Sequence, residues 1–119
     1  MKITILIVLL MTVLFIITCD RSDIYGQPIK DDLQFQNIAS VLSNPDRYVG
    51  SEVGLKGKIV LECGSGCWFQ LDDGTGQIHV ELTPGNFAIP QKVGKSVTVM
   101  GKVMEEDGRL VVHASGVSF

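Results

Sequence analysis

A chain of 119 residues can build one small domain, and its charge is mildly acidic, with 10 Lys and Arg against 13 Asp and Glu. That balance argues against loose binding of a phosphate backbone, which needs a basic face.

Residues 1–18, MKITILIVLLMTVLFIIT, carry one charge at Lys2 and then an apolar run from Ile3 to Ile17 that only Thr4 and Thr12 interrupt. This is the layout of a secretory signal peptide, and the run is short for a membrane span, which needs about 20 residues. Cys19 follows Ile16, Ile17 and Thr18, and the tetrad resembles the lipobox of bacterial lipoproteins, in which a small residue precedes a cysteine that becomes the lipidated N-terminus. Thr18 stands where glycine, alanine or serine is usual. Lipid anchoring through Cys19 is favoured over an uncleaved N-terminal anchor and over simple secretion, and each of these exports the domain to the cell envelope, on the periplasmic side or the outer surface. Lys2 leaves with the signal, so nine Lys and Arg remain against thirteen Asp and Glu, a formal balance of minus four. With Cys19 consumed by lipid, Cys63 and Cys67 remain as an even pair in a compartment that permits disulfides.

Residues 19–34 read as a tether, because DRSDIYGQPIKDD is polar, carries Gly26 and Pro28, and shows no hydrophobic period. The domain then occupies 35–119. Ile38, Val41 and Leu42 stand at helical spacing behind Asn37 as a cap, and SNPD ends this short entry helix. Beyond Gly50 the period changes to two. In the first strand Val53, Leu55, Ile59 and Leu61 are expected inside, alternating with Lys56, Lys58 and Val60, and Gly57 falls on the inward parity where barrel strands bend. Phe69 and Leu71 point in from a second strand whose other face carries Trp68 and Gln70. DDGTG turns the chain into a third, with Ile78, Val80 and Leu82 inside and Gln77, His79 and Glu81 outside. TPGNFAIPQKVG, 83–94, holds two prolines and two glycines and serves as a crossover. Val97, Val99, Gly101 and Val103 share the inward parity of a fourth strand, EEDG turns, and Leu110, Val112 and Ala114 alternate with Val111, His113 and Ser115 in a fifth. The predicted fold is mainly β: a five-stranded OB-fold Greek-key barrel with a short N-terminal entry helix.

The stretches VLSNPDRYVGSEVGLKGKIV, GCWFQLDDGTGQIHVEL, FAIPQKVGKSVTVMGKV and ASGV resemble a family of small exported bacterial OB-fold domains of uncharacterised function, of the GCWFxLDDGTG type. The likeness covers residues 38–119, and because its glycines are fold-determining it implies the barrel and leaves the chemistry open. More distantly the chain is similar to periplasmic OB-fold proteins linked to envelope stress and to the membrane-tethered haem chaperone of cytochrome c maturation. That chaperone family attaches haem through a histidine in a tail after the barrel, whereas His113 is expected within the last strand, so the role is not carried over.

Cys63 shares parity with Leu61, and Cys67 with Phe69 and Leu71, which sends both sulfurs to one side across a Gly-Ser-Gly loop. Partners at the mouth of an antiparallel hairpin lie about 4.5–5.5 Å apart at Cα, inside the range a disulfide accepts, so a structural staple is the favoured reading. A metal site would need two further ligands, and His79 and His113 face outward, so no metal is assigned. Redox catalysis is disfavoured by the C-x-x-x-C spacing and by the lack of a following helix N-terminus, although a strained staple is redox-sensitive without being an enzyme. GSG and GTG each precede a strand and read as turns rather than phosphate loops, and Asp72, Asp73 and Glu81 as ordinary turn acids.

Trp68 is expected outside the barrel with Gln70, beside His79 and Lys58, on the outer face of the second and third strands that OB-folds use for oligonucleotides or oligosaccharides. The competing reading packs Trp68 under the entry helix or the crossover. No nucleophile elbow, carboxylate pair or histidine-based acid–base system is recognisable, and no cofactor is called for. The expectation is a non-catalytic, envelope-tethered binding module, anchored to the membrane by its N-terminal lipid, whose ligand is a partner protein or a glycan-like molecule. Nucleic-acid binding is the alternative, and thiol, metal or haem handling in the envelope a further one.

Overall fold

In the computed structural model of the chain, which describes residues 2–14 and 23–119, the apolar run near the N-terminus is a helix, α1 (Lys2–Leu14). No helix among the described residues is long and apolar enough to cross a membrane. The lipidation expected at Cys19 falls outside the described residues.

The period-two segments form β2 (Glu52–Glu62), β3 (Trp68–Asp72), β4 (Gln77–Glu81), β5 (Ser96–Glu106) and β6 (Arg109–Ser118). They pair in the order β6-β4-β3-β2-β5, and a further β5–β6 pairing closes the barrel. Every barrel pairing is antiparallel except β4–β6, where Val80 lies beside Val112 and Glu81 beside His113. This is the OB-fold. Leu55, Ile59, Phe69, Leu71, Val80, Val99, Val103 and Val112 fill the interior with no solvent exposure, and Val53, Ile78 and Val97 complete it at 3% or less. Burial of these β-branched and aliphatic side chains, each contributing about 1.5–3 kcal/mol, is the main force holding so small a barrel together.

The entry helix α2 (Ile38–Ser43) plugs one end with Ile38 and Val41. Its N-terminal donors are satisfied from two directions: Asn37 Oδ1 accepts from Ser40 N at 2.7 Å, while Asp73 Oδ2 and Thr75 Oγ1 of the β3–β4 turn accept from Ile38 N at 2.9 Å and Ala39 N at 3.1 Å. Burial pushes the Asp73 carboxyl up, but hydrogen bonds from the Thr75 hydroxyl and from the Ile38, Thr75 and Gly76 backbone outweigh it and hold the group below its ordinary value. The DDGTG turn is therefore a helix cap as well as a turn. Pro45 then opens a further short helix, α3 (Pro45–Tyr48).

Two expectations are corrected here. The first is the tether. From Asp23 onward the polar segment is docked: β1 (Ile24–Gly26) adds a sixth strand antiparallel to β6, and Phe35 makes a bridge to Gly54 of β2. In between, the chain crosses Met100 of β5, which is fully buried although it points away from the interior. Gly116, Met100 and Gly54 are register partners across β6, β5 and β2. A Cβ on Gly116 would stand 2.0 Å from Gln27 O, and one on Gly54 2.8 Å from the Phe35 ring, so the two glycines are what lets the strap lie flat. Hydrophobic periodicity is blind to such docking, because backbone pairing supplies much of it.

The second correction concerns the end of β2. Ile59 faces Leu71, but the next pairs are Leu61 with Gln70 and Glu62 with Phe69, which makes Val60 the extra residue of a β-bulge. Parity inverts beyond it. Leu61, expected in the core, is 58% exposed on the outer face, and Glu62 turns to the inward parity, where its Oε1 accepts from Lys92 N at 2.7 Å and Val93 N at 3.0 Å and pins the crossover.

Candidate functional site: the outer face of β3 and β4

β3 and β4 pair in strict register, with Trp68 opposite Glu81 and Gln70 opposite His79, so all four side chains rise from one outer face. Trp68 and His79 are diagonal neighbours, close enough for long side chains to meet. Their ring centroids lie 5.1 Å apart at an interplanar angle of 34°. His79 Nε2 is 2.6 Å from Glu81 Oε1, and the imidazole side chain keeps only 12% of its exposure. The indole is thus half-buried against a histidine that a carboxylate holds in place.

The platform continues onto both neighbouring strands. On β6, Val111 lies beside His79 and His113 beside Glu81, and His113 Nε2 pairs with Glu106 Oε1 of β5 at 2.5 Å. On the other side the bulge brings Leu61 next to Gln70. Leu61 is the site residue that period-two reasoning missed. Ile59-Val60-Leu61 is a run of three apolar residues, and nothing in such a run marks where the alternation slips.

Of the residues expected at this site, the structure brings Trp68, Gln70 and His79 together and leaves Lys58 out. Lys58 pairs with Asp72, at the far end of β3 from Trp68, about 13 Å along the strand at roughly 3.3 Å per residue. There it lines a separate open groove of about 830 Å³ together with Lys56, Asp73, Val97 and Phe119.

Cys63 and Cys67 flank the loop that leads into Trp68, and both are half-buried free thiols. The bulge inverts the parity that alternation gave Cys63, so the two cysteines come to the hairpin mouth by a different route from the one expected. The loop is firmly framed. Cys63 N donates to Trp68 O at 3.0 Å, Leu82 N to Cys67 O at 2.9 Å, Ile89 N to Gly66 O at 3.1 Å, and the Gln91 amide to Gly64 O at 2.8 Å. Gly66 has φ +72° and would place a Cβ 1.9 Å from Ile89 O, so only glycine fits there. Among the described residues, no three His, Cys, Asp or Glu side chains gather as a metal-binding group.

No family model matches the chain, and no curated protein does. Solved structures do. The chain is similar to the hypothetical protein ygiW from E. coli, with a TM-score of 0.55 and 15% identity over 76% of this chain and 100% of that one. It is also similar to part of a Leishmania major Friedlin protein assigned as an aspartyl-tRNA synthetase, with a TM-score of 0.53 and 12% identity over 77% of this chain and 22% of the other. At such identities the likeness is one of fold, and the fold is the OB barrel.

Proposed function

We propose that this protein is an envelope-tethered, non-catalytic OB-fold binding module that takes a glycan-like molecule or a partner protein on the outer face of β3 and β4. The observation that carries the reading is the half-exposed indole of Trp68 stacked on His79, with Gln70 and Glu81 beside it and Leu61 at the edge. A flat aromatic surface ringed by amide and carboxylate groups suits a ligand with an apolar face and hydroxyl or amide edges. OB-folds load ligands on this same strand pair.

Nucleic acid fits the face less well. Glu81 and Glu106 stand on it, each engaging one of its two histidines, and a phosphate backbone would meet this negative charge without a basic stripe to offset it. The aspartyl-tRNA synthetase likeness carries the fold and not the ligand. Export and lipid attachment at Cys19 belong to the same proposal. They are supported by the charge of Lys2 ahead of an apolar helix and by the position of Cys19 just before the docked strap.

The test is binding by Trp68→Ala. Calorimetric titration of the wild type with soluble peptidoglycan and other envelope glycan fragments, and with envelope peptides, is expected to find a saturable ligand whose affinity falls at least about thirtyfold in the variant, the scale of a buried aromatic hot spot. Stability should fall by only about 1 kcal/mol, because the indole is half-exposed. Saturable binding of single-stranded oligonucleotides at physiological salt, with no response to glycans or peptides, would replace this reading by the nucleic-acid one.

A further inference from the structure

The loop Cys63-Gly64-Ser65-Gly66-Cys67 carries a chemistry that the binding face does not use. Cys63 and Cys67 stand at the mouth of the β2–β3 hairpin, where Cys63 N donates to Trp68 O at 3.0 Å, and both are half-buried free thiols with exposed Gly64 and Ser65 between them. The surroundings are not symmetric. Ser65 Oγ lies 3.1 Å from Cys63 Sγ, and Gly66 N donates to Cys63 O at 2.9 Å, closing the loop on that residue. The hydroxyl contact falls on one of the two sulfurs. The loop cannot easily relax away from this arrangement, because backbone hydrogen bonds tie Cys63 to Trp68, Cys67 to Leu82 and Gly66 to Ile89, and the Gln91 side-chain amide holds Gly64.

We infer that Cys63 and Cys67 form a thiol–disulfide exchange pair, Cys63 attacking and Cys67 resolving, that reacts with exposed disulfides of small thiols or of proteins. This goes beyond the proposed binding function and does not depend on it. In the first step the Cys63 thiolate attacks one sulfur of a disulfide RSSR, an S–S bond forms to Cys63, and RS⁻ leaves. In the second, Cys67 gives up its proton and attacks the Cys63 sulfur, closing the Cys63–Cys67 disulfide and expelling the other RS⁻, which takes up that proton. The pair is oxidised by two electrons and RSSR is reduced by two. The Gly-Ser-Gly spacing keeps the resolving sulfur within reach at no cost in diffusion.

Hydrogen bonds from the Cys67 thiol, then from Ser65, hold the Cys63 thiol at about 6 against an ordinary value of 9.0. Stabilising the thiolate stabilises the reduced pair, which makes the disulfide easier to reduce than a static staple.

The experiment starts from the reduced full-length protein, with limiting iodoacetamide from pH 4 to 9 and modification read at peptide level, which separates Cys63 and Cys67 from Cys19. Cys63 is expected to react first, with a midpoint near 6. At pH 5 its rate should exceed that of a thiol of ordinary pKa by about thirty- to sixtyfold, the gain in thiolate fraction less the loss in intrinsic nucleophilicity. With oxidised glutathione, Cys67→Ser, which keeps a donor at 67, should accumulate glutathione on Cys63, whereas Cys63→Ser should leave Cys67 largely unmodified. The wild type should form a Cys63–Cys67 disulfide that reduced glutathione reopens. Equal labelling of the two cysteines, a midpoint in the ordinary thiol range, or a disulfide that glutathione leaves intact would overturn the proposal, the last outcome restoring the static staple.

Discussion

The outer face of β6, β5 and β2 is covered by the chain's own residues 24–36, whereas the outer face of β3 and β4, with the adjoining part of β6, carries a half-buried indole and no docked strand of its own among the described residues. The residues differ accordingly. Under the strap the row reads Gly116, Met100, Gly54, two residues that leave room for a backbone around one apolar side chain. On the open face the row reads Trp68, Glu81, His113, all large, none compatible with a chain lying flat, and two of them polar groups already engaged with one another's neighbours. The surface that receives the chain's own strap is pared down to glycine, and the Trp68 face keeps its side chains. That contrast, more than the fold alone, is why the ligand is assigned to the Trp68 face.

The contrast can be broken most severely at Gly116. A Cβ there would lie 2.0 Å from Gln27 O, a backbone atom with little freedom to move, so Gly116→Val should lift the strap. The expected cost is about 1–3 kcal/mol, as for other overpacked sites, read from urea unfolding, with hydrogen exchange rising across residues 24–36 and no loss of protection at Phe69 or Val80. Unchanged stability and unchanged exchange would show that the strap is not held by this close approach.

Leu61→Ser sharpens the other side. With Leu61 58% exposed beyond the bulge, the change should alter stability by no more than about 0.5 kcal/mol while weakening ligand binding beside Trp68. A loss on the scale of about 2–5 kcal/mol would mean that the residue is in the core after all and that the platform ends at Gln70.

The smallest expected effect is at the turn joining the two platform strands. Asp73 is held below its ordinary value in the fold by the hydrogen bonds it accepts, so its contribution is present above the carboxylate value of the unfolded chain, about 3.9, and is lost as pH falls through the lower folded value. Asp73→Asn should therefore flatten the acid limb of the stability profile below about pH 4 and leave α2 less protected at its first turn. An acid limb identical to that of the wild type would remove Asp73 from the account of the helix cap.

The barrel was legible because its strands are mostly amphipathic: Phe69, Leu71, Ile78 and Val80 point inward and alternate with Trp68, Gln70, Gln77 and His79 on the outer face. The reading failed where alternation stops carrying information. In Ile59-Val60-Leu61 every residue is apolar, so the bulge left no trace, and the positions of Leu61 and Glu62 were inverted. Residues 24–36 lack a period because they dock through backbone pairing, Tyr25 and Phe35, and the available clue was Gly54, an outward glycine with no turn to explain it. Lys58 shares a parity with the platform but stands too far along the strand, a distance that alternation does not encode. The Ser65 hydroxyl reaches Cys63 through the loop's own closure, which spacing alone does not describe.

The most direct measurement is a map of backbone amide shifts in the isotopically labelled domain during titration with the tightest envelope glycan or peptide ligand found. The account expects saturable shifts at Trp68, Gln70, His79 and Glu81, reaching Leu61 and His113, with residues 24–36 and the Gly116–Gly54 row unmoved. Shifts confined to the strap, or to the groove between Lys58 and Phe119, with the Trp68 indole signal unchanged, would contradict it.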